Sequence, residues 1–117
     1  DRNHAIVTDL PAGKNGDDMG ATALEVTVMA FSGCVSTIYA VVAKKMRLTF
    51  SELEVETKAE KGDKDPTITK LNFVVKVKSE ASEEKLKKCL ELTLDTCPVG
   101  ILYKNAGVQI DYTLEAL

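Results

Sequence analysis

The stretch TALEVTVMAFSGCVSTIYAVVAKKMR (residues 22–47) holds apolar residues on nearly every helical face. Thr22 stands where an N-cap would, with Glu25 three residues on as in a capping box. The basic residues of KKMR close the run, where cations suit the helix dipole. The pattern predicts one long helix over 22–47, bent at Ser32-Gly33 because glycine weakens a helix interior, and apolar all round because it is covered on all sides. About 20 apolar residues suffice to cross a bilayer. Glu25, the interspersed Thr and Ser, and the lack of signal-peptide flanks favour a buried helix, with no membrane partner.

Outward from this helix, HAIVTDL (4–10) is short, β-branched and ended by Pro11, which predicts a strand. Asp1 opens the chain directly ahead of it without a methionine or leader, so residues upstream are expected. PAGKNGDDMG (11–20) predicts a loop, and it has no phosphate-cradling spacing. In SELEVETKAE (51–60) Leu53, Val55, Thr57 and Ala59 alternate with charged residues, predicting a strand with one wet face. KGDKDP (61–66) makes a turn, and Thr67 to Lys78 places Leu71, Phe73, Val75 and Val77 on one face of a second strand. Antiparallel pairing would set acidic beside basic side chains on a solvated face. SEEKLKKCLELTLDT (82–96) predicts a helix capped by Ser82 whose inner face carries Leu86, Cys89, Leu90, Thr93 and Cys97. Pro98 ends it. Val108, Ile110, Tyr112 and Leu114 alternate along a last strand. The order β-α-β-β-α-β makes a ferredoxin-like split βαβ sandwich the default expectation from the residues alone.

A chain of 117 residues supports one domain, spanning 1–117, and one core. The net charge of -3 and pI near 5.2 provide no basic field for phosphate backbones, so nucleic acid is not an expected partner. Three cysteines, no CxxC and a single histidine, His4, suggest neither a disulfide framework nor a metal site. A reducing, cytoplasmic setting fits this usage.

Free cysteine is among the most buried residue types, and Cys34, Cys89 and Cys97 read first as small core residues. Two features favour chemistry. Cys34 is flanked by Ser32, Gly33 and Ser36, which leave room around its sulfur, and Cys97 stands beside Pro98 where the chain turns. His4, in an expected strand, is a poor partner for Cys-His acyl transfer. Thiol redox chemistry needs only a thiolate, access for an oxidant and a second thiol within reach.

GATALEVTVMAFSGCVSTIYAVVAKKMRL (20–48) and DTCPVGILYKNAGVQIDYTL (95–114) together resemble the OsmC/Ohr family of osmotically induced and organic hydroperoxide resistance proteins, from about Ile6 to the C-terminus. The resemblance implies an α+β OsmC-like fold in an intertwined homodimer, its long central helices packed between antiparallel sheets, with the family's N-terminal strands absent or shortened here. It implies that Cys34 is the peroxidatic thiol, Cys97 the resolving thiol that forms a Cys34–Cys97 disulfide, and Glu25 a catalytic acid. Hydroperoxide would be the substrate, and a dithiol, lipoylated or thioredoxin-like, the reductant. No metal or organic cofactor is implied.

Two departures from the family pattern stand out. Glu25 lies nine positions before Cys34 rather than ten, and one position rotates a helical side chain by about 100°; first-turn electrostatics is its other reading. Arg2 is the only arginine ahead of the central helix, while Arg47 is about 20 Å along the axis from Cys34, so no cation is assigned to the thiolate. Met29, Phe31, Ile38 and Tyr39 are expected to line a pocket for organic hydroperoxides or to pack in the core. The rival reading from another class is a non-catalytic homodimeric α+β module that binds a small hydrophobic ligand.

Overall fold

Thr22 accepts a hydrogen bond from the Glu25 N–H at its side-chain oxygen, and the Glu25 carboxylate accepts one from the Thr22 N–H (3.1 and 2.9 Å). This reciprocal pair satisfies two of the donors a helix start leaves open. From it runs the central helix α1, Ala23–Lys45, closed at Met46 with Lys44 and Lys45 in its last turn. The computed structural model describes residues 2–117.

After α1 come β1 (Glu52–Glu60) and β2 (Lys70–Lys78), then α2 (Glu83–Thr96), α3 (Pro98–Asn105) and β3 (Gln109–Ala116). β1 and β2 pair antiparallel, with Val55 opposite Val75 and Glu60 opposite Lys70. β3 adds parallel to the other side of β2, giving the order β1-β2-β3. A parallel neighbour requires a crossover rather than a hairpin, and α2 with α3 supplies it. The expected charge pairing is present: Lys76 meets Glu56 at 3.5 Å, and Lys70 lies 3.2 Å from Asp111 and 3.9 Å from Glu60. These exposed pairs contribute little, about 0–1 kcal/mol each.

The core lies between the inner face of the sheet and the helices. Leu71, Phe73, Val75 and Val77 of β2 meet Phe31, Val35 and Tyr39 of α1, while α2 contributes Leu86, Cys89, Leu90 and Thr93, the inner face read from its periodicity. Phe31 stands edge-on to Phe73 and Tyr103, a favoured aromatic geometry.

Three expectations are corrected. HAIVTDL is not a strand; residues 2–22 form an arm that folds back on itself, with isolated bridges at Thr8–Ala21 and Ala12–Gly16 and the Asp9 N–H donating to Ala21 O at 3.0 Å. Asp9 holds this arm in shape by accepting the N–H groups of Leu10, Asp17 and Met19, a local alternative to ladder pairing. The ferredoxin-like default fails with the missing first strand and with the parallel β2–β3 pair. Third, the chain itself covers only one side of α1: Phe31, Val35, Tyr39, Val42 and Ala43 are buried, while Met29, Gly33, Thr37, Ala40 and Val41 face outward, on the side where the resemblance implies a partner subunit. By length and composition α1 would suffice to cross a membrane, yet its buried stripe packs on β1, α2 and α3. The uncovered helix and arm make the chain extended, with a radius of gyration of 16.1 Å, where a compact domain of this length has about 13 Å.

Candidate functional site

Cys97 sits at a junction set by local sequence. Its N–H donates to Thr93 O (2.8 Å), completing α2, and Pro98 then starts α3, where a missing N–H does no harm. Cys97 is thereby the N-cap of α3, and its sulfur accepts the Gly100 N–H at 3.4 Å. The side chain is 0% exposed. Gly100, also buried, lies against Phe31, so that a Cβ there would be 3.4 Å from Cys97 Sγ and 3.5 Å from the Phe31 ring.

Cys34 reaches the same place from the other side. It lies on α1 one turn beyond Phe31, at the border between the buried and the outward faces, and is half-buried. Beside it Gly33 opens onto free space, and Ser36 and Thr37 turn their hydroxyls back onto Gly33 O. Because α1 packs on both α2 and α3, the Cys34 thiol becomes the neighbour of the Cys97 thiol. Burial, chiefly, and then the adjacent Cys34 push the Cys97 thiol up to about 11, against the opposing pull of the Gly100 and Val99 N–H groups. Both thiols are free. A half-exposed sulfur beside a buried one can do two-step thiol chemistry: the first meets the reagent, and the second is held until the first is modified.

The other singled-out residues lie elsewhere. Glu25 is nine residues before Cys34, about 13 Å along the axis and half a turn around it. Its exposed carboxylate is occupied by the Thr22 N–H, which holds it below its ordinary value. Within this chain the structure does not bring Glu25 to the cysteines. Cys89 is fully buried against the Tyr39 carbonyl (3.7 Å), with its thiol pushed up by burial, and it packs in the core. Met29, Phe31, Ile38 and Tyr39 do not line one pocket: Phe31 and Tyr39 are core residues and Met29 is 58% exposed on another face. An apolar cleft of about 410 Å³ lies instead between α1 and α3, lined by Leu24, Thr27, Val99, Leu102, Tyr103 and Val108 among others. The Tyr103 hydroxyl donates to Thr27 Oγ1 across it at 2.7 Å. The sequence reading missed the donors at Cys97, the N–H groups of Val99 and Gly100. Cys-Pro-x-Gly was their signal, since a residue just before a proline at N1 is an N-cap.

The family model described as OsmC-like protein matches residues 15–113. No curated protein matches the sequence. Among solved structures, an OsmC-like protein from Mycoplasma pneumoniae superposes with a TM-score of 0.81 at 13% identity, over 92% of this chain and 78% of that one. An organic hydroperoxide resistance protein from Elizabethkingia anophelis gives 0.76 at 15% identity, over 94% and 79%. Another from Legionella pneumophila gives 0.64 at 9% identity, over 92% and 77%. At such identities the likeness establishes the fold, an α+β OsmC-like architecture.

Proposed function

The chain belongs to the OsmC-like protein family, and from that premise we propose that it is a thiol-dependent peroxidase reducing organic hydroperoxides or hydrogen peroxide. The single observation carrying this reading is the meeting of half-buried Cys34 with buried Cys97 across the α1–α3 packing. The names of the solved hydroperoxide resistance proteins support the substrate class.

The Cys34 thiolate attacks the terminal oxygen of ROOH. The O–O bond breaks, its electron pair leaves with RO⁻, which takes up a proton, and Cys34 becomes a sulfenic acid. Cys97 sulfur then attacks Cys34 sulfur, the S–O bond breaks, and water leaves as the Cys34–Cys97 disulfide forms. A dithiol restores both thiols and becomes a disulfide itself; lipoylated and thioredoxin-like proteins are of this class. A reducing compartment such as the cytoplasm would supply it. Glu25 serves this chain as the cap that starts α1.

The partner we propose for the uncovered face of α1 is a second copy of the chain. Met29, Gly33, Thr37, Ala40 and Val41 form an uncharged strip from near Glu25 to Lys44, and Gly33, with nothing within 4 Å of a Cβ position, lets another helix approach closely. The apolar cleft between α1 and α3 favours the second reading, a non-catalytic module binding a small hydrophobic ligand. Free-thiol counting after one equivalent of cumene hydroperoxide separates the two. The peroxidase loses two thiols, through Cys34 and Cys97; a module loses none, in wild type or in any cysteine variant.

A further inference from the structure

The short helix α3 has to hold Cys97 at one place along α1, and the contacts between the two helices run in opposite chain directions. Tyr103 donates its hydroxyl to Thr27 Oγ1 at 2.7 Å and stands edge-on to Phe31. Gly100 lies against Phe31, and Cys97 neighbours Cys34. The partners on α1, Thr27, Phe31 and Cys34, are i, i+4 and i+7, which share one helical face. Those on α3 are Tyr103, Gly100 and Cys97, three residues apart each time. The spans agree: Thr27 to Cys34 is about 10.5 Å of helical rise, and Tyr103 to Cys97 about 9 Å. The hydrogen bond and the cysteine pair are thus the end rungs of one frame, with Phe31 between them.

Little else fixes where α3 sits along that frame. Ile101, Leu102 and Lys104 are exposed. Val99 packs against the core, but apolar burial is not directional and does not stop a helix from sliding. Among the described residues, Tyr103 makes the one side-chain hydrogen bond from α3 to another element. Its acceptor is itself held, since Thr27 Oγ1 donates to Leu24 O at 2.6 Å. Two cysteines join only where their Cα atoms come within about 4.4–6.8 Å, and a slip of α3 by one turn, about 5.4 Å, would part them.

We infer that Tyr103 is a positioning residue for the disulfide: its bond to Thr27 sets the register of α3 on α1 that brings Cys97 to Cys34. The inference rests on the pairing of the two cysteines proposed above but not on peroxide as the oxidant. With the tie in place, the dithiol already has the register the disulfide needs. Without it, α3 gains positions that only the dithiol can occupy, and the equilibrium moves toward the dithiol.

The test is the equilibrium of the protein with glutathione. Two electrons pass from the Cys34 and Cys97 sulfurs to glutathione disulfide, their protons end on two glutathione thiols, and one S–S bond replaces another. Approached from both directions, the end point does not depend on which sulfur is attacked. Acid quenching, alkylation and peptide mapping give the fraction joined. Tyr103→Phe, which keeps the ring on Phe31, should lower the constant for disulfide formation about three- to tenfold, the range of one net hydrogen bond. Thr27→Val should do the same and the double variant no more than either, while Thr27→Ser, which keeps the acceptor, should hold the wild-type value. An unchanged constant in Tyr103→Phe, or additive losses in the double variant, overturns the inference. So does a wild-type protein whose two cysteines stay unjoined under glutathione disulfide alone. Joining by glutathione disulfide but not by peroxide counts against the peroxidase reading, while the shifts still decide the role of Tyr103.

Discussion

Cys34 and Cys97, 63 residues apart in the chain, are neighbours across the packing of α1 on α3, one half-buried and the other sealed. Under the proposed function that asymmetry gives them different tasks, and their substitutions are expected to behave differently. Cys34→Ser should abolish the peroxide-dependent loss of thiols. Cys97→Ser should still react once, stopping at a Cys34 sulfenic acid that dimedone traps. Equal behaviour of the two variants would contradict the assignment.

The reactivity of Cys97 should follow its burial. In Cys34→Ser, where Cys89 and Cys97 are the remaining thiols, iodoacetamide should modify neither appreciably at neutral pH. Labelling of Cys97 should rise only on the alkaline side, because burial, the largest cause of its raised value, persists in the variant while the part due to Cys34 is lost. Peptide mapping across a pH series reads this directly. Rapid labelling of Cys97 at neutral pH would mean that the sulfur is open to solvent.

Stability should fall on the alkaline side. Cys89, Cys97 and Tyr39 all have their values raised by burial, so the folded state holds their protons more tightly than the unfolded one. Their contribution is complete below the ordinary cysteine value of 9.0 and is lost as pH rises through the folded values. Chemical denaturation midpoints should therefore decline above pH 9, with proton release on unfolding. Glu25 and Asp9 run the other way: backbone N–H groups hold both carboxylates low, and their contribution is lost as pH falls below the ordinary carboxylate range.

Cys89→Ala separates packing from chemistry. The thiol fills a sealed space against Tyr39, and truncation there should lower unfolding free energy by about 1–2 kcal/mol. Two thiols should still be lost to one equivalent of hydroperoxide. A variant that keeps its stability but loses the reaction would place Cys89 in the chemistry instead.

Gly33→Glu tests the second copy. Within one chain the new side chain meets open space, and the helix gains rather than loses intrinsic preference at that position, about 0.5–1 kcal/mol. A charge in the middle of the strip should nonetheless prevent helix-to-helix contact, converting a dimer to a monomer in sedimentation velocity. An unchanged mass distribution would remove α1 from the interface.

Much of the fold was legible because its signals are local. The Thr22–Glu25 box, the alternation of β1 and β2, and the spacing of Leu86, Cys89, Leu90 and Thr93 each lie within a few residues, and each element stands within a few positions of its reading. HAIVTDL misled for a physical reason: β-branched composition marks a segment fit to be paired, but pairing needs a neighbour, and in this chain Asp9 ties the segment to its own loop. The wrap-around apolarity of 22–47 likewise predicted coverage, and the family resemblance implied a partner subunit on the face that the chain leaves open. Only five of its residues are covered by the chain itself.

The chain order of the elements left open whether the last strand pairs antiparallel, as in a ferredoxin-like sandwich, or parallel; the crossover through α2 and α3 decided for β2–β3 parallel. The two cysteine motifs marked Cys34 and Cys97, since residue type and neighbours are written in the chain. Their meeting, the sealing of one sulfur and not the other, and the separation of Glu25 from both belong to the tertiary structure. Helical phase and the docking of α3 on α1 fix which side chains share a space, and sequence spacing across 63 residues carries no such distance.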